Sequence, residues 1–310
     1  MSKKTKGTLM LLTTAFIWGT AFVAQRDGMN YIGPFTFNGL RSYIAFFSLI
    51  PVVLLFQKKK TQEKSNISKV EYEKPGNSAA DKKFLIKGGV LCGIILFFAS
   101  TIQQYGLIYT TAGKGGFITA LYIVLVPIYG LFLGKKVRPL LWFCVILAIT
   151  GLYLLTMKED LSINKGDIMV MVCSFLFATH IVVIDYFSPR TDGLKMSWIQ
   201  FLVVAILSTP CIIIFENVDW QNVLNCIFPM LYAGIFSGGV AYTLQILAQK
   251  DTEPTVASLI LSLESVFAVI AGIILLGESI SMREFLGCVI IFVAIILAQL
   301  PSKKHLDKIN

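Results

Sequence analysis

The sequence predicts an all-α polytopic membrane protein, with ten transmembrane helices in two inverted five-helix repeats and both termini cytoplasmic. Three observations carry this prediction. The 310 residues are 55% hydrophobic and only 15% charged, with a mean hydropathy of +0.73, which leaves too little charge to cover a soluble domain of this size. Apolar runs long enough to cross a bilayer, about 20 residues each, recur ten times. The stretch from Lys6 to Phe56 also returns, shifted by 159 positions, as Lys165 to Phe215.

The first run, 8–26, follows Lys3, Lys4 and Lys6 in the manner of a signal peptide. It has no small-x-small cleavage site, so it reads as a retained first helix. The second run, 35–56, is followed by a polar, Lys-rich stretch, 57–83, with Pro75-Gly76. That stretch reads as a disordered cytoplasmic loop. Runs 84–108, 114–133 and 139–157 complete five spans, and 166–187, 195–215, 226–249, 254–276 and 284–300 supply five more. Backbone groups find no water partner in lipid, so each run is a helix. No alternating strand pattern is present, which excludes an outer-membrane barrel.

Orientation follows from Lys and Arg. With the N-terminus inside, 21 of the 27 fall in inside segments; five (Arg26, Lys114, Lys158, Lys165, Arg283) fall outside and Arg41 lies within the second span. The positive-inside rule then places both termini in the cytoplasm. The net charge of +9 fits anionic lipid headgroups and not nucleic acid, because the lysines cluster between apolar runs.

The duplication sets the organisation. At the shift of 159, Lys6/Lys165, Gly7/Gly166, Met10/Met169, Phe16/Phe175, Thr20/Thr179, Val23/Val182, Pro51/Pro210 and Phe56/Phe215 match, and Trp18/Phe177 and Arg41/Gln200 are looser counterparts. Thr101-Ile102-Gln103 aligns with Thr243-Leu244-Gln245 at 142, and Gly134 with Gly277 at 143. The fall in shift locates an insertion in 57–83. Residues 1–157 are expected to form the first repeat and 158–310 the second. Five spans is an odd number, so the second copy enters the membrane from the opposite side. Inverted repeats of this kind place solute near the midplane and alternate access by rocking one half against the other.

Ile17-Trp18-Gly19 with Phe22, Tyr109-Thr110-Thr111-Ala112-Gly113 leading to Pro127 and Gly134, and Ser262-Leu263-Glu264-Ser265-Val266-Phe267 leading to Gly277-Glu278 carry a family resemblance. With the ten spans in two halves, the chain resembles EamA-type members of the drug/metabolite transporter superfamily over nearly its whole length. Two positions depart: Ser265 stands where the family often has proline, and Lys135 where the first copy often has an acid. The resemblance implies export of a metabolite or drug through a central cavity lined by spans one, three, four, six, eight and nine.

The expected cavity residues are Trp18, Gln103, Tyr122, Phe177, His180, Tyr242 and Gln245, with Glu264 as the candidate for coupling to the proton. Gln103 and Gln245 lie in the third span of each half, with Ser100 and Tyr242 one turn before, and inversion brings them to facing positions. An amide donates and accepts, which suits a neutral or zwitterionic solute; a hydrogen bond between helices explains a buried Gln equally well. Thr14, Trp18, Ala21 and Gln25 share one helix face, and Cys173, Phe177, His180 and Ile184 its counterpart, so Trp18 and Phe177 are expected to wall opposite sides of one cavity. His180 reads as a proton relay or solute ligand, or as a neutral ring held by a hydrogen bond.

Glu264 is an acid near the middle of the ninth span, costly unless protonated, paired or facing water. Ser258, Ser262 and Ser265 share a different face of that helix and are not expected to face the same cavity. Arg41, about 9 Å below the outer boundary, is expected to snorkel outward to Asp27 or Glu278. Asp185 aligns with Arg26 and reads as a helix end at the inner interface, and Lys114 as an interfacial anchor at the outer turn. Gly89/Gly93 and Gly234/Gly238 are small-x3-small pairs that let helices approach closely.

Two motif matches are set aside. His180 and Asp185 spell an acyltransferase-like His-x4-Asp, but five residues leave them about 140° apart around a helix. Ala112-Gly113-Lys114-Gly115 lacks the rest of a phosphate loop. The six cysteines mostly sit in apolar runs without Cys-x-x-Cys, so no disulfide framework, metal site, catalytic residue or cofactor is expected. The expected function is secondary transport of an amino-acid-like or drug-like solute across a bacterial plasma membrane, with the solute and the lipid bilayer as partners and homo-oligomerisation left open. The alternative classes are an integral membrane enzyme acting on a lipid-linked substrate, disfavoured because the inner loops lack an Asp-rich motif, and a non-transporting scaffold or receptor.

Overall fold

The computed structural model describes residues 3–66, 79–110, 112–156, 164–276, 281–298 and 300. Among the described residues every regular element is helical. The N-terminal half holds α1 (Lys3–Gly28), α2 (Pro34–Asn66), α3 (Ala79–Tyr109), α4 (Ala112–Ala120), α5 (Tyr122–Phe132) and α6 (Pro139–Thr156). The C-terminal half begins with α7 (Lys165–Phe187) and α8 (Gly193–Phe215). Short helices α9 (Trp220–Asn225) and α10 (Ile227–Leu231) lead into a π-helical segment, Tyr232–Ala241. Then follow α11 (Tyr242–Ala248), α12 (Pro254–Leu261), α13 (Glu264–Leu276) and α14 (Met282–Ala298).

Eight helical stretches are long and apolar enough to cross a membrane, and two shorter apolar helices, Pro139–Leu154 and Phe285–Ala298, accompany them. The outer surface carries large apolar side chains such as Phe47, Phe132, Ile213 and Phe228. The interior holds Gln25, Asn38, Gln103, Gln104, Gln200 and Glu264. The core around them is apolar, but so large an apolar exterior is solvated by a bilayer and not by water. The Lys-rich stretch expected to be a disordered loop is partly helical, since α2 runs to Asn66 and α3 begins at Ala79. Lysine and glutamine are good helix formers that extend a spanning helix into water. Residues 67–78 of that stretch lie outside the described residues.

Helix starts follow local chemistry. Asn164 caps α7 in a reciprocal capping box with Asp167, and Asp192 caps α8 by accepting from the Leu194 and Lys195 amides, each satisfying otherwise orphaned N–H groups. α2 opens on Pro34 and takes its cap from the other half. The Glu216 carboxylate accepts from the Phe35 and Thr36 amides at 2.8 Å and from Thr36 Oγ1 at 2.6 Å.

The halves interleave. α3 packs on α7 and α8, α2 on α8 and the π-helical segment, α1 on α13 and the π-helical segment, and α6 on α14. Two hydrogen bonds repeat across the duplication. Asn38 Nδ2 donates to Thr101 Oγ1 at 3.0 Å, and Thr243 Oγ1 to Ser197 Oγ at 2.8 Å. Ser197 is Asn38 plus 159 and Thr243 is Thr101 plus 142.

Candidate functional site

A small cavity lies between the two halves. The N-terminal half lines it with Trp18, Phe22 and Gln25 from α1, Arg41 from α2, Gln103 from α3, Thr119 from α4 and Tyr122 from α5. The other half contributes Phe177 from α7, Ser237 from the π-helical segment, Tyr242 from α11 and Glu264 from α13. A second, smaller chamber shares Arg41, Ser237 and Tyr242 with the first and adds Asn38, Ser42 and Ser100.

The two halves meet chemically where Tyr122 OH donates to Glu264 Oε1 at 3.0 Å. Their numbers differ by 142, the shift that aligns Gln103 with Gln245, so each is the other's counterpart in the duplication. Each also follows a break in its span, at Leu121 between α4 and α5 and at Ser262-Leu263 between α12 and α13. The breaks are built alike. The Leu121 amide donates to the Ile118 carbonyl and the Leu263 amide to that of Ile260, both at 3.2 Å. Interrupted spans of this kind are tolerated where they line a cavity. Ser258 and Ser262 donate to backbone carbonyls one turn back, while Glu264 lines the cavity.

Tyr242 is the hub of the aromatic wall. Its ring lies 4.6 Å from Trp18, 5.5 Å from Phe201 and 5.9 Å from His180 between centroids, in the tilted and edge-on arrangements that aromatic pairs favour. Trp18 Nε1–H donates to the Ser237 carbonyl at 3.4 Å. The π-helical segment that presents Ser237 is a geometry concentrated at functional sites.

Arg41 departs from its expected snorkelling position. Its Nη1 donates to Gln25 Oε1 at 2.7 Å, and its Nε and Nη2 to Asn38 Oδ1 at 3.1 and 3.0 Å. The expected partner Asp27 is not among these acceptors, and Glu278 lies outside the described residues. The side chain is drawn inward because Asn38, one turn earlier on α2, and Gln25 on α1 offer acceptors on the bundle face. Arg41 thereby adds a second-span residue to the spans that the family resemblance implied.

Of the expected cavity residues, Trp18, Gln103, Tyr122, Phe177, Tyr242 and Glu264 line one space. Gln103 Nε2 donates to Thr119 Oγ1 at 3.0 Å. His180 and Gln245 are buried but lie outside the lining of both chambers. His180 Nε2 meets Gln200 Oε1 at 3.2 Å, and Gln245 Oε1 has no hydrogen bond to the described residues. Arg41, Ser237 and Asn38 were not expected at the cavity. For Asn38 a usable signal existed, since it stands one turn before Arg41 and is the counterpart of a serine in the second copy.

Ion pairs hold the α4–α5 span to α7 at both ends. Lys114 Nζ lies 2.7 Å from Asp167 Oδ2, and Thr110 Oγ1 donates to Asp167 Oδ1 at 2.7 Å. At the other end Lys135 pairs with Asp185. Lys114 therefore does more than anchor at an interface, and Asp185, expected only as a helix end, is an ion-pair partner. Among the described residues no group of three or more His, Cys, Asp or Glu could hold a metal ion.

The sequence model of the EamA-like transporter family matches residues 5–157 and again 164–300. An uncharacterized transporter of Archaeoglobus fulgidus is 29% identical over 301 residues, covering 96% of this chain and 87% of its own. The uncharacterized transporter YoaV of Bacillus subtilis is 22% identical, covering 92% and 94%. The uncharacterized inner membrane transporter YedA of Escherichia coli K12 is 24% identical, covering 94% and 89%. A solved crystal structure, 18% identical, matches 97% of this chain and 98% of its own with a TM-score of 0.75, a likeness of fold. With the family model covering both halves and full-length relatives named as transporters, the chain belongs to the EamA-like transporter family and is a multi-pass membrane transporter, not an enzyme.

Proposed function

We propose that this transporter is a secondary active carrier that moves a small amino-acid-like or drug-like metabolite by alternating access at the interface of two inverted repeats, residues 1–157 and 158–310. The observation that carries this reading is the Tyr122–Glu264 contact. Two residues equivalent in the duplication meet at 3.0 Å, inside a cavity that both halves line. Such a position, next to broken spans, is where inverted-repeat carriers hold solute. Ten spans with both termini cytoplasmic agree with the eight long and two shorter apolar helices and with the 21-to-5 split of Lys and Arg. Export is the direction carried by family resemblance. The inner membrane named for YedA fits a bacterial plasma membrane for this chain.

Trp18, Gln103, Tyr122, Phe177 and Tyr242 are proposed to contact solute. Glu264 is proposed to couple its movement to protons, because a buried carboxyl can be neutral or charged according to which side the cavity faces. His180 sits behind this wall with its ring edge-on to Tyr242, and Gln245 is buried on α11 outside the lining. The test is solute flux in proteoliposomes of the full chain, with and without an imposed proton gradient. Wild type accumulates solute against its gradient; Glu264→Gln exchanges solute but no longer accumulates it. Equal accumulation by Glu264→Gln refutes the coupling role, and absence of flux across a broad panel of metabolites and drugs refutes carriage.

A further inference from the structure

The guanidinium of Arg41 is placed deep in the bundle with neutral partners only. Its three hydrogen bonds go to the amide oxygens of Gln25 and Asn38. No carboxylate of the described residues lies within 4.0 Å of it. Gln25 and Asn38 are themselves tied down, Gln25 through Nε2 to the Ala21 carbonyl and Asn38 through Nδ2 to Thr101. Gln104 Nε2 holds the Gln25 carbonyl from α3 at 3.1 Å. The arginine is therefore positioned by a rigid polar shell from three helices, and the shell leaves its charge unneutralised.

A guanidinium has five N–H groups. The described bonds use three, leaving one on each of the two terminal nitrogens of a side chain that lines both chambers. A cation at this depth is costly without a counter-charge, and a planar fork with two unused N–H groups suits a carboxylate held by paired hydrogen bonds. On the same cavity, Glu264 spends Oε1 on Tyr122, while its Oε2 makes no hydrogen bond to a described residue. One side chain thus offers an unmatched cation and another an unused acceptor, and Trp18, Phe22 and Phe177 line the same cavity.

We infer that Arg41 is the carboxylate-docking residue of the solute site, and that the solute is a small zwitterion whose carboxylate lies on Arg41, whose ammonium faces Glu264 and whose apolar part meets the aromatic wall. This rests on the carrier reading above and adds to it the charge pattern of the solute. A chloride or other small anion would satisfy Arg41 alone, but would leave Glu264 and the aromatic residues without a role.

The test uses the purified full-length chain in detergent and in proteoliposomes. Thermal stabilisation is measured with three sets of probes: the common amino acids, the amines lacking their carboxylate, and the acids lacking their ammonium, with sodium chloride as a fourth arm. The expected result is that at least one amino acid stabilises the protein and moves across the membrane. Its amine and acid analogues should bind roughly tenfold more weakly or worse. Arg41→Gln should lose the amino acid's advantage over its amine, while Arg41→Lys retains part of it.

Asn38→Asp guards against a variant that merely misfolds. It supplies Arg41 with an internal carboxylate, so it should raise the melting temperature of the empty protein while weakening the amino acid roughly tenfold or more. Amines that bind as well as their amino acids, or an Arg41→Gln protein with unchanged preference, overturn the inference. So does stabilisation by chloride alone. If the protein carries an uncharged or cationic solute and Arg41→Gln carries it equally, the inference falls while carriage stands. If it carries nothing, both fall.

Discussion

Replacing Gly19 by alanine tests whether the cavity depends on contact between α1 and α13. A methyl on Gly19 would lie 2.5 Å from the Glu264 carbonyl oxygen, 2.5 Å from Phe267 Cβ and 2.9 Å from the Ala268 amide nitrogen. Ordinary van der Waals contact begins at 3.4 Å, so the helices must separate by about 0.9 Å. Two of the three obstructing atoms are backbone, which no side-chain rotation can move aside. Overpacking of this kind costs about 1–3 kcal/mol, against a gain of roughly 0.5–1 kcal/mol for removing a glycine from a helix. The net is a destabilisation of about 1–2 kcal/mol, read as a fall of roughly 2–5 °C in apparent melting temperature.

The neighbouring Trp18 reports the same shift functionally. Its 3.4 Å bond to the Ser237 carbonyl is already long and would not survive a further displacement of about 0.9 Å. Gly116→Ala is the matched control. The nearest atoms to a methyl there are Phe22 ring carbons at 3.7 Å and Ser265 Oγ at 3.8 Å, and its backbone does not have a positive φ. That variant should melt at or slightly above wild type. The assay is thermal unfolding in detergent alongside solute flux in proteoliposomes. A Gly19→Ala protein that melts at the wild-type temperature and keeps wild-type flux would refute the packing argument.

Other outcomes follow from the same geometry. In a background with the six native cysteines replaced, Gln103→Cys should react with a small polar thiol reagent and be protected by solute, whereas Gln245→Cys should react far more slowly; equal labelling refutes the distinction between lining and supporting positions. Asp167→Asn removes the Lys114 ion pair and weakens the α7 capping box, so it should cost about 1–2 kcal/mol. The double exchange Lys114→Asp with Asp167→Lys should not restore it, because lysine cannot cap a helix N-terminus; full recovery in the melt refutes the capping role. His180→Phe should leave solute affinity within about threefold, or under 0.7 kcal/mol, while Trp18→Ala lowers it roughly tenfold or more. Comparable losses in both, measured as concentration dependence of flux, contradict the placement of His180 behind the wall.

Much of the site was legible because a duplication converts single residues into pairs. Trp18 and Phe177 are counterparts at 159, Gln103 and Gln245 at 142, and the same shift relates Tyr122 to Glu264. Polar residues in the middle of apolar spans stand out because lipid cannot solvate them. The pairing misled where counterparts have different roles. Gln103 lines the cavity and Gln245 does not, and the two third spans differ in build, since the second runs through a π-helical segment ahead of Gln245. Arg41 was misplaced for another reason. Depth along a helix gives the distance to the interface, but says nothing of acceptors waiting on a neighbouring helix.

By itself the sequence determined the solvent, the all-helical class and the duplication, which the family model matches twice. The first two follow from apolar run length and the need to satisfy backbone groups in lipid, and the third from residues that recur at shifts of 159 and 142. Only the tertiary structure decided which faces meet, that the spans break at Leu121 and Ser262-Leu263, and that Tyr122 closes on Glu264 across the halves. It alone decided that Arg41 turns inward to Gln25 and Asn38. These outcomes depend on helix rotation and crossing, set by close contacts such as Gly19 against the Glu264 carbonyl. Those contacts join residues far apart in the chain, and no local pattern encodes them.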